Sequence, residues 1–572
     1  MSRFNLLEEA WIPVVMDERG NSKEVSLKEF FENAHHYKCL AGDTRTQNFA
    51  LLRFLLSILH TVYSRFDDEG SIYEQIELNA HFFPANSVDT FEQEQYEEAL
   101  MTTWLNLYRR GSFTESIQKY LDKWQDRFYL FDEKYPFFQV KESDISQDKI
   151  NKSSGSKISG KNINRLISES DNKIALFSPK SEFNDNKNIL NESEVVRWLI
   201  TYQSYTGLAD KVIFGSDKYK ASKGWLFDIG GIYIEEKNLF ETLMVNYIIL
   251  HPQREYRASI QRPCWEYDSE DKIKAYFSGA PIDNLAELYT LWSRAIYIDP
   301  EIDINRPFSC QIVKLPDLEH EDQFLEPMTL WKHNDKTKKF TPRKHPANQA
   351  LWRSIGLVAS PSSFSDGQRR PGLIDWLNWL IDEEFISEKV VKLQSISMKD
   401  DGNATSWVPV DEICDSLNVK DILLADTEDN YWIPRIDEAV EKTKKVIGYT
   451  YREFLRDIFE IRGVKNKVQL DQFVESLFSL VDQPFREWIA TIEVFDSKDN
   501  KVLEWYDQLS IIVDQQAKTH VVQGTSRDFI GIPDNEGGRK NIITVYNKFK
   551  YFLYKELGLS KKEEIMDESS RK

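Results

Sequence analysis

The strongest candidate metal ligands in this sequence are His35 and His36, followed three residues later by Cys39. This spacing supplies half of a zinc site, and none of the four cysteines lies in a Cys-x-x-Cys pair. We therefore predict a surface turn at this position, no metal site, and thiols that stay free in a reducing compartment.

Carboxylates that converge on one site are what a metal-dependent nuclease needs. Asp534 and Glu536, with Lys540, are similar to a nuclease motif, but the Glu-x-Lys spacing is missing and two adjacent glycines indicate a loop. The acidic run at 319–322 is most simply a solvated loop. The sequence contains no Walker A loop, GxSxG elbow, HExxH pair or GxGxxG turn after a strand. A binding protein is the better prediction, and a nuclease with a nonlocal carboxylate site stays an alternative.

A polar segment, MKDDGNATSW at 398–407, lies between an apolar run and a second extended stretch. Gly402 and Asn403 both tolerate positive φ, so the segment suits a sharp reversal of the chain. Asn403 also begins a glycosylation sequon, but the N-terminal residues lack the apolar run of a signal peptide. Two interpretations remain, a simple turn and a polar wedge that contacts a partner.

Charge and length limit the class of protein. The 572 residues include 93 acidic and 73 basic side chains, a net charge of −20, which argues against a protein that coats nucleic acid. A small local contact within a larger assembly is compatible with this charge. The apolar segment at 49–63 is too short to span a membrane and is interrupted by Arg53 and His60. We expect a cytoplasmic protein of two or more domains, without a membrane segment.

Two kinds of pattern divide the chain. The N-terminal part mixes strand signals with helix signals, such as the strand at 11–15 and the capping box that Ser26 and Glu29 form. Further helices are predicted near 45–64, 90–109 and 112–127. Long polar loops follow at 141–165 and 178–193.

From about residue 430 the pattern becomes helical. Four amphipathic segments follow: one from Pro434 to a C-cap at Gly463, one kinked or restarted at Pro484, one around 503–517, and one that ends near Gly558. The predicted fold class is therefore α+β. A large mixed α/β domain at 1–425 precedes a C-terminal four-helix bundle at 426–572.

Four sets of segments, in this order, match one family: Asn5-Leu6-Leu7 with Trp11-Ile12-Pro13-Val14, Tyr129-Leu130-Phe131 with Tyr135-Pro136-Phe137-Phe138-Gln139, Leu166-Ile167 with Asn172 and Ala175-Leu176-Phe177, and Gln203-Ser204-Tyr205-Thr206-Gly207. The chain resembles the CasA-type large subunit of the type I-E CRISPR Cascade complex. The resemblance covers essentially the whole chain, and it rests on the ordered set because no single motif decides it.

The resemblance implies a nonenzymatic subunit with no cofactor. In this family the guide RNA reads the target by base pairing, while the large subunit recognises the protospacer-adjacent motif in double-stranded DNA, largely from the minor groove. The subunit also helps to open the duplex for R-loop formation and to recruit the helicase–nuclease. The implied partners are the guide RNA, the backbone and small Cascade subunits, the target duplex and that nuclease.

The resemblance also assigns site residues. The family's wedge loop, which splits the first base pair, corresponds here to Gly402, Asn403, Ala404 and Thr405, with Asn403 in the place of a glutamine. Asn403 has a shorter side chain but keeps the amide donor and acceptor. Gly402 in place of an asparagine is a departure from the family's pattern.

Other implied contacts lie earlier in the chain. The loop that faces the motif corresponds to Gly207, Leu208, Ala209, Asp210 and Lys211, of which only Gly207 is glycine. Lys314 corresponds to a lysine finger. A loop that orders on RNA or DNA engagement includes Phe177, Ser178 and Lys180, although core packing is an alternative for Phe177. A pure scaffold subunit without DNA readout is the remaining alternative for the whole chain.

Overall fold

The computed structural model describes residues 3–166, 188–208, 211–347, 349–360, 367–386, 390–402, 407–420, 423–424, 432–533 and 538–559. Contacts divide the chain into two compact units. The first comprises 1–348, 365–387 and 391–416, and the second comprises 349–364, 388–390 and 417–572. The predicted boundary between residues 425 and 426 falls outside the described residues and stays a prediction.

Helices make up most of the regular structure. Their bounds are α1 (Leu27–Asn33), α2 (Arg45–Tyr63), α3 (Gln93–Arg110), α4 (Glu115–Lys123), α5 (Glu192–Tyr205), α6 (Leu239–Asn246), α7 (Ser269–Ser278), α8 (Leu285–Leu288), α9 (Ile355–Ala359), α10 (Gly372–Asp382), α11 (Trp432–Lys445), α12 (Arg452–Arg462), α13 (Lys467–Ala490), α14 (Lys498–Val522), α15 (Ser526–Ile530) and α16 (Ile542–Leu557).

Short strands form several small sheets. Their bounds are β1 (Ile12–Val15), β2 (Ser22–Val25), β3 (Cys39–Leu40), β4 (Ser156–Ser159), β5 (Gly230–Glu235), β6 (Arg294–Tyr297), β7 (Ser309–Lys314), β8 (Leu330–Asn334), β9 (Lys339–Arg343), β10 (Gln368–Arg369), β11 (Val390–Asp400), β12 (Pro409–Lys420), β13 (Ile532–Pro533) and β14 (Arg539–Lys540). The strand orders are β2-β1-β3, β4-β7-β6, β10-β8-β9, β12-β11-β5 and β13-β14.

Helix α2 is the centre of the first unit. One half of the predicted capping box at α1 is present, because Ser26 accepts a hydrogen bond from Glu29 N, while the Glu29 carboxylate bonds Lys23. Thr44 caps α2 as Ser26 caps α1. Almost every side chain of α2 is buried. The two arginines of α2 each meet a buried glutamate: Arg53 donates two 2.7 Å bonds to Glu326, and Arg65 pairs with Glu266 at 2.8 Å. Burying these charges is tolerated because each carboxylate is paired and hydrogen-bonded.

The second unit contains the predicted helical region. Helix α11, a π-helical turn at Val446–Tyr451 and α12 follow one another and end at Gly463, whose φ of +68° forms the predicted left-handed cap. Helices α13, α14 and α16 complete four long helical segments, and α16 ends at Gly558 with φ +71°. The α+β fold class with a C-terminal helical region is therefore confirmed.

Of the two alternatives predicted at Pro484, a restart does not occur, because α13 runs through this residue as one element, and a kink stays a prediction. An internal proline removes one backbone hydrogen bond and costs about 3 kcal/mol. In the following turn Phe485, Trp488 and Ile489 are buried. Burial of side chains of this size contributes about 1.5–3 kcal/mol each, which outweighs the proline penalty.

Candidate nucleic-acid interface

The first predicted loop begins where α5 ends. Thr206 N donates to the carbonyl of Tyr202, and the chain then passes Gly207 and Leu208. Leu208 N donates to the carbonyl oxygen of Trp407 at 2.9 Å. A β-carbon on Gly207 would lie 1.7 Å from that same oxygen, so no other residue fits without moving the backbone.

A buried arginine fixes this loop from below. Arg294, at the start of β6, is fully buried, and its Nη2 donates to the carbonyl of Gly207 at 2.7 Å. Its Nη1 donates to the carbonyls of Ser222 at 2.6 Å and Ser293 at 2.7 Å. The Gln203 carboxamide accepts from Ser293 N and Arg294 N, which anchors β6 to α5. Sequence reasoning missed Arg294, because its partners are backbone carbonyls from distant segments, which leave no motif.

The second predicted loop is the tip of the β11–β12 hairpin. Asp401 N donates to Val408 O at 3.1 Å, and Val408 N donates to the Asp401 carboxylate at 3.4 Å, which closes the loop. Gly402 has a φ of +69°, and its N donates to the Asp400 carboxylate at 2.9 Å. The predicted chain reversal at Gly402 is confirmed. Asn403, Ala404 and Thr405 lie outside the described residues.

The two loops share one cavity of about 570 Å³ in the first unit. Leu208 and Trp407 both line it, although 199 positions separate them in the sequence. Lys223 lies beside them, with its Nζ 5.2 Å from the centre of the Trp407 ring. The strand end at β9 and the segment after it contribute Pro342 and Lys344. The fold therefore brings Leu208 of the first predicted loop close to Asp400 and Trp407, which flank the second.

A series of ion pairs links Asp228, which lines the cavity, to Asp400 at the base of the hairpin tip. Asp228 pairs with Lys223 and, at 3.7 Å, with Lys344, which also bonds the Asp400 carboxylate at 2.9 Å. Asp400 in turn accepts from Gly402 N. Burial alone would raise the pKa of Asp228, but the two ammonium groups outweigh it and hold that pKa below its usual value. Asp228 is therefore charged at neutral pH, and through Lys344 it helps to position Asp400 at the base of the hairpin tip.

The cavity wall carries more negative than positive charge. Among the described residues that line it, carboxylates outnumber ammonium groups five to three: Asp228, Asp317, Glu319, Glu321 and Asp400 against Lys220, Lys223 and Lys344. His320 stacks on Trp225 at 4.0 Å, and burial lowers its pKa, which favours the neutral ring. Because a phosphate group is repelled by carboxylates, the cavity itself is a poor phosphate site. Its apolar lining residues, which include Leu208, Pro342 and Trp407, suit contact with uncharged surface.

The remaining predicted site residues either do not line the cavity or lie outside the described residues. Lys211 is exposed, and Lys314 ends β7, where its backbone N donates to Val212 O at 3.1 Å. Neither is among the described residues that line the cavity. Ala209, Asp210, Phe177, Ser178 and Lys180 lie outside the described residues.

The described candidates for a metal site do not form one. The rings of His35 and His36 lie 3.9 Å apart beside the short strand that Cys39 begins. Among the described residues, no group of three or more His, Cys, Asp or Glu side chains could hold a metal ion. Lys540, the described member of the nuclease-like motif, donates from its Nζ to the Glu460 carboxylate at 2.7 Å. Asp534 and Glu536 lie outside the described residues.

The acidic run at 319–322 is less solvated than predicted. Glu321 pairs with Lys339 at 3.0 Å, and the Asp322 carboxylate accepts from Phe340 N at 2.8 Å. These bonds tie the run to β9. No helix in the described part of the chain is long and apolar enough to cross a membrane.

Comparison with known proteins gives a consistent result. The sequence model of the family "CRISPR-associated protein Cse1" matches residues 5–515. A curated relative, the CRISPR-associated protein CasA/Cse1 of Thermus thermophilus, is 27% identical over 272 residues. That alignment covers 46% of this chain and 42% of the relative, so it spans less than half of the relative's length.

Solved structures show the same fold over the whole chain. The Cse1 crystal structure from Thermobifida fusca has a TM-score of 0.75 and 22% identity, covering 97% of this chain and 98% of that one. Cse1 from Acidimicrobium ferrooxidans has a TM-score of 0.68 and 19% identity, with the same coverage. A chain of a "CRISPR RNA-guided surveillance complex" has a TM-score of 0.63 and 13% identity, covering 96% of this chain and 99% of that one. The family match confirms the resemblance seen in the sequence: this chain belongs to the Cse1 (CasA) family of CRISPR-associated proteins.

Proposed function

We propose that this chain is the nonenzymatic large subunit of a type I-E Cascade complex. In that role it recognises the protospacer-adjacent motif in target double-stranded DNA and helps to open the duplex for R-loop formation. It also helps to recruit the helicase–nuclease. Base pairing by the guide RNA supplies the sequence readout, and this subunit tests the short motif beside it.

One observation carries the proposal. Leu208 N donates to Trp407 O at 2.9 Å, which joins the loop after α5 to the hairpin tip. The family resemblance assigned DNA contact to both loops, and Leu208 of the first and Trp407 beside the second line one cavity. A motif reader needs such convergence, because a few groups must meet adjacent base pairs at the same time.

The charge distribution supports a limited contact of this kind. The minor groove offers a degenerate pattern of acceptors and is narrow, so small residues with amide donors suit it. A cavity wall rich in carboxylates disfavours the phosphates and leaves the rim to meet the bases. With a net charge of −20, the chain depends on basic partner subunits to hold the guide RNA.

The test is binding by the reconstituted complex. The chain is assembled with its Cascade partners and a guide RNA, and its affinity is measured for target duplexes with a randomised flanking motif. We expect wild type to select a motif, and Asn403→Ala or Lys211→Ala to weaken that selection. Lys465→Ala is the matched control for Lys211, because Lys465 is also exposed and forms no ion pair with a described residue.

Three outcomes contradict the proposal in different ways. Unchanged selectivity in the variants moves recognition to other residues and favours a scaffold role for these loops. Failure of the chain to enter the complex removes the subunit assignment. Metal-dependent cleavage of the duplex by the purified chain supports the nuclease alternative.

A further inference from the structure

The hairpin β8–β9 is strongly basic in an acidic protein. Residues 330–344 contain six lysine or arginine residues and one aspartate, a net charge of +5 in a chain whose total is −20. The exposed basic side chains are Lys332 in β8, Lys336 and Lys338 in the turn, and Lys339 at the start of β9.

Three of these lysines have no carboxylate partner in the described part of the chain. Lys339 pairs with Glu321, but Lys332, Lys336 and Lys338 form no ion pair with any residue that the structure describes. Like charges held close together on one hairpin repel each other, so the arrangement is unfavourable in the isolated chain. An anionic ligand would relieve that repulsion.

The turn that presents these lysines is a built structure. Lys338 N donates to Asn334 O at 2.8 Å, and Lys336 N donates to the Asn334 carboxamide at 3.0 Å. Lys338 takes a left-handed φ of +59°, which a lysine adopts rarely. The register is fixed by the pairs Lys332 with Thr341 and Asn334 with Lys339.

The base of the hairpin is continuous with the cavity described above. Thr341 and Pro342 of β9 line that cavity, and Lys344 follows them. At about 3.3 Å per residue, the turn around residue 337 lies about 13 Å from Thr341 along the strand. One strand of B-DNA rises 3.4 Å per nucleotide, so this length corresponds to about four base pairs.

We propose that the β8–β9 hairpin binds the phosphate backbone of the duplex that continues beyond the motif. This inference rests on the proposed function, because the motif fixes where the duplex begins. Lys332, Lys336 and Lys338 supply sequence-independent contacts about one third of a helical turn from the rim. The carboxylate-rich cavity repels phosphates, and the hairpin beside it holds them.

The experiment compares two pairs of lysines with identical spacing. Lys336→Gln/Lys338→Gln removes two charges from the hairpin turn, and Lys465→Gln/Lys467→Gln removes two exposed charges that also have no ion pair with a described residue. Each variant is placed in the reconstituted complex, and its affinity for a target duplex is measured between 50 and 200 mM salt. The flanking duplex beyond the motif is either two or ten base pairs long.

With the ten-pair flank, log affinity falls as log salt rises, and the magnitude of this slope should be smaller by about 1.8 in the hairpin variant than in wild type. Between 50 and 200 mM salt, the fold-loss of affinity should then be about twelve times smaller for the hairpin variant than for wild type. The control pair should match wild type, and the two-pair flank should abolish the difference. Motif selectivity should be unchanged in all cases.

Equal slopes for wild type and hairpin variant overturn the proposal. Failure of the hairpin variant to join the complex also overturns it, since the hairpin is then a contact for an acidic protein. A slope difference that persists with the two-pair flank assigns the lysines to the guide RNA or target strand instead. The two proposals can fail separately. If the complex shows no motif selectivity but the hairpin variant still changes the salt slope in a flank-dependent way, only the proposed function is contradicted.

Discussion

The two loops at the candidate interface are held in opposite ways. Gly207 is buried and is fixed on both sides, by the Trp407 carbonyl above and the Arg294 guanidinium below. Gly402 is exposed, and a β-carbon there would meet nothing within 4 Å. Both positions are glycine, but the first is required by close packing and the second by a φ of +69°.

This difference suggests a division of labour. Gly207 and Leu208 after α5 form a fixed reference surface, because their position is set by bonds from β6 and from the hairpin. At the second loop the described bonds lie at the base of the hairpin tip, where Asp400 accepts from Gly402 N and Asp401 accepts from Val408 N. A wedge that enters a duplex needs a rigid support and a protruding tip.

The largest expected effect comes from removing the support of the fixed loop. Arg294→Met takes away the donor to the carbonyls of Gly207 and Ser222 and leaves them buried. We expect the free energy of unfolding to fall by about 3 kcal/mol or more, since each unsatisfied buried group costs about 1–3 kcal/mol. Urea unfolding of the purified chain measures this loss.

Arg294→Lys separates charge from geometry. A lysine keeps the positive charge but lacks the planar fork that reaches several carbonyls at once. It should recover part of the stability and less of the motif selectivity of the assembled complex. Equal selectivity for the Lys variant and wild type would show that the loop position does not depend on the fork.

Gly207→Ala should have the next largest effect. The new β-carbon overlaps the Trp407 carbonyl, so the backbone of one loop must move. Overpacking of this kind costs about 1–3 kcal/mol. The same displacement should weaken motif selectivity about tenfold, which corresponds to 1.4 kcal/mol, in the binding assay with randomised motifs.

These two residues also show what the sequence could and could not reveal. Helix α2, the cap at Ser26 and the bundle helices were predictable, because each depends on local periodicity or a local cap. Gly207 was predicted through family resemblance, but its contact with Trp407 depends on chain packing across 200 positions. Arg294 had no local signal at all. At Pro484 the local rule left a kink and a restart open, and burial of the following turn outweighed the restart.

Gly402→Ala sharpens the comparison, because it is the same substitution at the loop with open space. An alanine at a φ of +69° costs about 1 kcal/mol through backbone strain alone. The unfolding free energy should therefore fall less than for Gly207→Ala. If Gly402→Ala proves the more damaging of the two, the distinction between a packed loop and an open tip is wrong.

The smallest expected effect concerns the ion pairs beneath the tip. Lys223 and Lys344 hold the pKa of Asp228 below its usual value, against the effect of burial. A depressed pKa in the folded state stabilises the fold above the unfolded value near pH 4, and this stability is lost as the pH falls through the folded value. Asp228→Asn should therefore lower the unfolding free energy at pH 7 by on the order of 1 kcal/mol.

The pH dependence distinguishes this from a packing defect. The difference between wild type and Asp228→Asn should shrink as the pH falls below about 4, where the wild-type carboxylate is increasingly protonated. Unfolding midpoints measured between pH 3 and pH 7 follow this trend directly. A difference that stays constant over that range would mean that Asp228 acts through its shape and hydrogen bonds. The hairpin tip would then be positioned without the charge network.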